Sequence, residues 1–129
     1  MRIDYRDGLL FVSLTLEYGG HTQTVHNVIL DTGAAQSLIA REAVEHLNIQ
    51  TEDNDIIVPM LGIGGRDYAL RKQIDGLTFG QYHIQNPFVD FGNLEAHPGI
   101  DGLLGSDILV PGRFVIDLDA LEVYPGSNQ

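Results

Sequence analysis

With 129 residues, of which 43% are hydrophobic, the chain has the size and composition of one globular domain. Its formal net charge of −11, with only 7 Lys and Arg residues, disfavours nucleic acid and anionic membrane surfaces as partners. The absence of cysteine excludes disulfides and thiolate chemistry.

The first residues of the chain do not have the pattern that predicts a signal peptide. Residues 1–10 contain no basic segment followed by an apolar run, so we expect no signal peptide. No apolar run approaches the length needed to span a membrane. We therefore expect a cytoplasmic protein that does not associate with membranes.

The first half of the chain is dominated by β-forming residues. In the second half of the predicted strand Leu9–Tyr18, apolar residues alternate with polar ones, which is typical of a half-buried strand. A Gly-Gly turn then leads into a second strand, Thr22–Leu30. The spacing of apolar residues predicts a short amphipathic helix over Ala40–Leu47, and the acidic segment Thr51–Asp55 predicts a solvated loop.

The second half predicts further hairpins. Predicted strands Ile56–Met60 and Tyr68–Ile74 flank a glycine-rich stretch, and two later hairpins join Gly76–Gly80 to His83–Phe91 and Arg113–Asp117 to Leu121–Tyr124. Ser106 is predicted to cap a short helix, Asp107–Val110. About eight strands with one or two short helices predict a single all-β domain over residues 1–129, a closed barrel or a sandwich.

Asp31 is the residue that most needs an explanation. It directly follows the apolar run Val28–Leu30, where a carboxylate loses hydration unless hydrogen bonds compensate. Thr32 and Gly33 follow, and a glycine lets the backbone approach another group closely. Taken alone, Asp-Thr-Gly is better explained by a carboxylate that caps the turn into the following helix.

Two further segments favour a catalytic role for Asp31. A glycine hairpin, MLGIGG (Met60–Gly65), lies about thirty residues downstream, and GLLGSDIL (Gly102–Leu109) lies late in the chain. Together with VILDTGAAQSLIA (Val28–Ala40), and in this order, they resemble the retropepsin-like aspartic proteases. The resemblance extends from about Leu9 to Tyr124 and implies the all-β acid-protease fold with a glycine-rich flap hairpin.

The resemblance assigns roles to individual residues. Asp31 would be the catalytic acid, the Thr32 hydroxyl would lock two active-site loops together, and Gly33 and Ala34 would contact substrate through their backbone. Ser37 would support the same loop. The flap tip would hold the remaining substrate-binding residues, Ile63, Gly64 and Gly65, and Leu103, Leu104 and Gly105 would lie under the catalytic turn.

The chemistry of this family requires two carboxylates that share one proton. No second Asp-Thr-Gly or Asp-Ser-Gly occurs in the chain, since Asp75 and Asp101 lack the intervening hydroxyl residue. The family's solution is a homodimer in which each chain supplies one Asp31. Ala35, Gln36 and Ser106 stand where retroviral members commonly have charged residues, so substrate binding is expected to differ from theirs.

Three readings follow. The first is an aspartic endopeptidase that acts on peptides or proteins as a homodimer, without a metal or cofactor, since the five histidines show no metal-ligand spacing. The second is a catalytically silent retropepsin-like dimer that acts as a peptide-binding or dimerisation module. The third is a structural β-domain that resembles the family by chance, in which Asp31 lies apart from any second carboxylate.

Overall fold

The computed structural model describes residues 1–62 and 65–126. Within them the chain forms twelve strands, a 3₁₀ helix and one short α-helix. The strands are β1 (Asp4–Arg6), β2 (Leu9–Tyr18), β3 (His21–Leu30), β4 (Leu38–Ala40), β5 (Ile56–Gly62), β6 (Gly65–Gln73), β7 (Gly76–Phe79), β8 (Tyr82–Gln85), β9 (Phe88–Gly92), β10 (Gly102–Leu104), β11 (Phe114–Asp117) and β12 (Glu122–Pro125). The 3₁₀ helix is Arg41–Leu47, and α1 is Ser106–Leu109.

Ten of these strands form one sheet. Nine follow the order β5-β6-β9-β4-β10-β3-β2-β7-β8, and β1 pairs with the N-terminal part of β2. Strands β11 and β12 form a separate two-stranded sheet. The all-β prediction is confirmed. The described sheet is not closed into a barrel, however, because its end strands β5 and β8 each pair on one side only.

The core lies against one face of the β2–β3 hairpin. Val12, Leu14 and Leu16 are at most 4% exposed, as their alternation with polar residues predicts. The pairing shifts by one residue opposite Ser13, and Asn27 there has a positive φ of 57°. Because of this bulge, Val25 and Val28 both face the core although they are three positions apart.

The centre of the sheet is built by the short strand β10, which pairs in parallel with β3 and antiparallel with β4. Gly102 permits this approach, since a Cβ atom there would lie 2.8 Å from Ile39 Cδ1 and 2.9 Å from the Leu38 carbonyl oxygen. The register places Leu104 beside Leu30. The loop after β3 and the start of α1 are therefore brought together.

Two predicted elements differ in detail. The predicted helix over residues 40–47 is a 3₁₀ helix with non-helical backbone at Val44, and it is shorter because Ala40 belongs to β4. The predicted strand His83–Phe91 is divided into β8 and β9. The division falls at Asn86, which has a φ of 54°, and at Pro87, which cannot donate a ladder hydrogen bond.

A buried lysine joins the predicted solvated loop to the sheet. Lys72 in β6 is 3% exposed, and its Nζ lies 3.0 Å from Asp55 Oδ2 and 3.3 Å from Glu52 Oε1. The Tyr18 hydroxyl donates to Glu52 at 3.0 Å. Residues 51–55 do form a loop, but the prediction that all of it is solvated is wrong, because the Asp55 side chain is only 6% exposed.

Electrostatics in this cluster favour the charged forms. Desolvation by burial opposes ionisation of Asp55, but hydrogen bonds from the Glu52 backbone N–H and from Lys72 outweigh it and lower the pKa of Asp55. Desolvation likewise opposes the charge on Lys72, but its hydrogen bonds to Asp55, Glu52 and Tyr18 raise its pKa. The charged pair therefore stabilises the fold at neutral pH.

We predict that Lys72→Met lowers the free energy of unfolding by about 3–5 kcal/mol, because it leaves the buried Asp55 carboxylate without its cation. The matched control is Glu52→Gln, which removes the exposed partner and is expected to cost less than about 1 kcal/mol. Urea denaturation at pH 7 measures both. Equal losses in the two variants would contradict the assignment of the stabilisation to the buried pair.

The same pair predicts a pH dependence. Because the pKa of Asp55 is lowered in the folded protein, its contribution is present above the unfolded-state value of about 3.9 and is lost as the pH falls through the folded value. The stability difference between wild type and Lys72→Met should therefore narrow as the pH is lowered below about 4. A stability difference between wild type and Lys72→Met that stays constant until Asp55 is fully protonated would contradict this interpretation.

Candidate active site

Asp31 continues the ladder of β3 one residue beyond the strand. Its N–H donates to the Leu104 carbonyl oxygen at 2.9 Å, so β10 fixes the backbone at this position. The side chain is half-buried, and its Oδ1 accepts a hydrogen bond from the Gly33 N–H at 3.0 Å. The Ala34 N–H donates to the Asp31 carbonyl oxygen at 3.1 Å and closes the turn. The local backbone thus orients the carboxylate.

Thr32 and Gly33 are exposed at the outer side of this turn. A Cβ atom at position 33 would lie 3.3 Å from Asp31 Oδ1, a tight contact that favours glycine beside the acid. Within the described residues, the Thr32 hydroxyl makes no hydrogen bond. Its predicted role in locking two loops together requires a second copy of the loop and stays a prediction.

Ser37 ties the loop to α1. It is 1% exposed, and its Oγ donates to Asp107 Oδ1 at 2.7 Å and accepts from the Gly105 N–H at 2.9 Å. The prediction that Ser37 supports this loop is confirmed. Sequence reasoning missed Asp107, whose only signal was a carboxylate two residues after the glycine of GLLGSDIL.

The carbonyl oxygen of Ala34 is the second link. It accepts from the Ser106 N–H at 2.8 Å and from the Ser106 hydroxyl at 3.2 Å. A Cβ atom at position 105 would lie 2.5 Å from the same oxygen, so only glycine allows the approach. The prediction that Ser106 caps α1 is wrong: Gly105 is the N-cap residue, and the Ser106 hydroxyl is bound to Ala34.

An ion pair lies behind the loop and was also missed. The Asp90 N–H donates to the Ser37 carbonyl oxygen at 3.1 Å, and the Arg71 guanidinium binds both oxygens of Asp90, at 2.8 and 3.2 Å. The hydrogen bonds to Asp90, opposed by burial, raise the pKa of Arg71, and the charge of Asp107 adds to the effect. Arginine and aspartate in separate strands gave no signal in the sequence, because only the pairing of β6 with β9 aligns them.

The predicted flap is partly described. β5 and β6 form an antiparallel hairpin in register from Ile56 opposite Arg71 to Gly62 opposite Gly65. The structure thus confirms a hairpin around the glycine-rich stretch. Ile63 and Gly64 lie outside the described residues, and Gly65 is described by its backbone alone, so their substrate contacts stay a prediction.

The chemistry available in one chain is that of a single oriented carboxylate. Within residues 1–62 and 65–126, no hydrogen bond joins Asp31 to a second carboxylate, and no group of three or more His, Asp or Glu side chains could hold a metal ion. An open pocket of about 340 Å³ lies beside the loop, with Gln36, Phe88 and Asp107 in its lining. One chain therefore supplies a single carboxylate, in a loop that is hydrogen-bonded to the start of α1.

Comparisons with known proteins agree with this geometry. The sequence profile of a family described as aspartyl protease matches residues 13–108, about three quarters of the chain. The fold is similar to that of a retropepsin-like aspartic protease from Rickettsia conorii, with a TM-score of 0.67 and 19% sequence identity over 93% of this chain and 92% of that one. No curated protein sequence matches the chain.

The described residues contain no helix that is both long enough and apolar enough to span a membrane.

We predict that Ser37→Ala lowers the free energy of unfolding by about 1–3 kcal/mol, because it leaves the buried Gly105 N–H without an acceptor and Asp107 without a donor. Ser13→Ala is the matched control. It removes an exposed hydroxyl bonded to His26 and should change stability by less than about 0.5 kcal/mol. Chemical denaturation at neutral pH compares them, and a Ser37→Ala loss no larger than that of the control would contradict the link.

Proposed function

Because the chain belongs to the aspartyl protease family, we propose that it is an aspartic endopeptidase that hydrolyses peptide bonds as a homodimer. Its substrate would be a peptide or protein chain bound across the two copies. The proposal rests on one observation above the others: Asp31 lies at the end of an apolar strand, held by backbone hydrogen bonds to Leu104, Gly33 and Ala34.

In the proposed mechanism, two Asp31 carboxylates, one from each copy, share one proton. The ionised carboxylate takes a proton from a bound water, while the protonated one donates to the scissile carbonyl oxygen. Attack of the water forms a tetrahedral intermediate. Proton transfer to the amide nitrogen then releases the amine and carboxylic acid products, and no cofactor or metal takes part.

The other residues of the loop are proposed to position the reactants. The Gly33 N–H fixes the carboxylate in each copy, and the Thr32 hydroxyl would bond the equivalent loop of the second copy. The exposed backbone of Gly33 and the half-buried Ala34 would contact the substrate chain. From the other side Ile63, Gly64 and Gly65 would cover it.

Rigid support of the loop favours a working acid. Hydrogen bonds of Ser37, Ser106 and Gly105 hold the loop against the start of α1. Asp90, which is paired with Arg71, holds it to β9 through its N–H bond to the Ser37 carbonyl oxygen. A catalytic group whose backbone is held in this way needs less reorganisation before reaction. A dimerisation module could keep the same supports, so turnover is the property that separates the two readings.

We predict that Asp31→Asn reduces cleavage of an unfolded protein or peptide mixture at acid pH by roughly 100- to 10,000-fold, because an amide cannot act as the general acid or base. Asp53→Asn is the matched control, since Asp53 is exposed in the loop before β5 and its replacement should leave cleavage unchanged. Mass spectrometry of the products measures cleavage, and sedimentation at the same pH should show that both variants remain dimeric.

The outcomes separate the readings. Hydrolysis that is unchanged in Asp31→Asn would contradict the catalytic assignment. The assay covers about pH 3 to 8, the range in which carboxylates and histidines titrate. A wild-type dimer that binds peptides but hydrolyses none in this range would favour the catalytically silent dimer. A monomer at assay concentration would contradict the shared active site.

A further inference from the structure

The side chain of Arg6 lies on the same face of the sheet as Asp31. Val12, Val28 and Leu30 belong to the main core, so the residues that alternate with them point to the opposite face. On that face Phe11 is paired with Ile29, and both are buried. Because Asp31 extends β3 by one residue, its side chain follows Ile29 on this face, at a Cα separation of about 7 Å.

Arg6 covers Phe11. Its guanidinium carbon lies 3.8 Å from the centroid of the Phe11 ring, in the stacked geometry of a cation–π contact. The apolar floor shields one side of the guanidinium from water, and the side chain is 40% exposed on the other. The cation is therefore presented to solvent on the face of the sheet that carries Asp31, at Asn27, which precedes Asp31 by four residues, or about 13 Å of extended strand.

Arg6 is held in place from β3. Its Nη2 donates to the Asn27 side-chain oxygen, and the Asn27 amide in turn donates to Asp101 Oδ2 at 3.1 Å. Asn27 is the positive-φ residue of the bulge in β3. The bulge thus directs a side-chain oxygen to Arg6, so that the guanidinium is oriented before any ligand binds.

Arg6 retains hydrogen-bonding capacity. Its Nε donates to Asp4 at 2.8 Å, but Asp4 is 69% exposed, and exposed pairs of this kind are weak. Within the described residues, the two N–H groups of Nη1 make no hydrogen bond. Nη1 can therefore donate a charge-assisted hydrogen bond to a carboxylate, which is about twice as strong as a hydrogen bond between neutral groups.

We infer that Arg6 is a specificity-determining residue that binds an acidic side chain of the substrate a few residues away from the scissile bond. The inference rests on the proposed protease function. The surrounding carboxylates, Asp4, Asp31 and Asp101, and the net charge of −11 would otherwise repel an acidic substrate residue. The exposed cation over Phe11 offsets this repulsion at one position along the bound peptide.

The test uses peptides with amidated C-termini that differ only by Glu or Gln, with the exchange placed in turn at each position near the cleavage site. At one position the wild type should have a kcat/KM about tenfold higher for Glu, as a charge-assisted hydrogen bond provides. This ratio should rise as the pH increases through the Glu pKa of about 4.3. Because the C-termini are amidated, the effect can come only from the side chain.

Variants assign the preference to Arg6. Arg6→Gln should bring the Glu-to-Gln ratio close to one at every pH. Arg2→Gln removes an equal charge from the same N-terminal segment, at a residue whose backbone pairs with Glu122. This variant should keep the wild-type Glu-to-Gln ratio. Arg6→Glu should prefer a Lys peptide over its Gln counterpart, a gained preference that loss of folding cannot produce.

Failure of this inference is distinguishable from failure of the proposed function. Binding of the same peptides to Asp31→Asn needs no turnover, and Glu should again bind more tightly than Gln. A protein that hydrolyses nothing while Asp31→Asn keeps an Arg6-dependent preference for Glu would overturn the protease but not the Arg6 site. Equal cleavage and equal binding of Glu and Gln peptides at all positions would overturn the Arg6 site.

Discussion

The structure depends on the parallel pairing of β3 with β10. This pairing places Leu104 beside Leu30 and lets the Asp31 N–H bind the Leu104 carbonyl oxygen at 2.9 Å. Once these strands are fixed, the loop after β3 and the start of α1 are forced together. The Gly105 N–H then donates a buried hydrogen bond to Ser37 Oγ that neither segment could make alone. The acid is oriented because two segments about seventy residues apart hold one turn between them.

Cations are few in this chain, and three of the seven make structural contacts that differ in exposure. Lys72 attaches the loop before β5 to the sheet, Arg71 supports the strand next to the Asp31 loop through Asp90, and Arg6 lies over Phe11. The first two are paired with carboxylates whose side chains are less than a tenth exposed, Asp55 and Asp90, so they serve stability. Arg6 is more exposed and paired with an exposed carboxylate, and for that reason it is available to a ligand.

Much of the fold could be predicted because it depends on local pattern. The alternation in Leu9–Tyr18, the Gly-Gly turn and the last hairpin all appear in the structure, since side-chain period and turn chemistry decide them. Asp31 and Ser37 were found through the order of three motifs. Asp107 and the Arg71–Asp90 pair were not found, because strand pairing decides their contacts. The prediction that Ser106 caps α1 was wrong for the same reason, because its hydroxyl donates to the carbonyl oxygen of Ala34, which is distant in sequence.

The central claim is that two copies of the chain build one active site around a pair of Asp31 carboxylates. The most direct measurement is the separation of these carboxylates in a crystal structure of the protein in its solution oligomeric state. The account predicts two Asp31 side chains related by a two-fold axis, with their nearest oxygens about 2.5–3.2 Å apart. Asp31 side chains that lie far apart, or face solvent in a monomer, would contradict it.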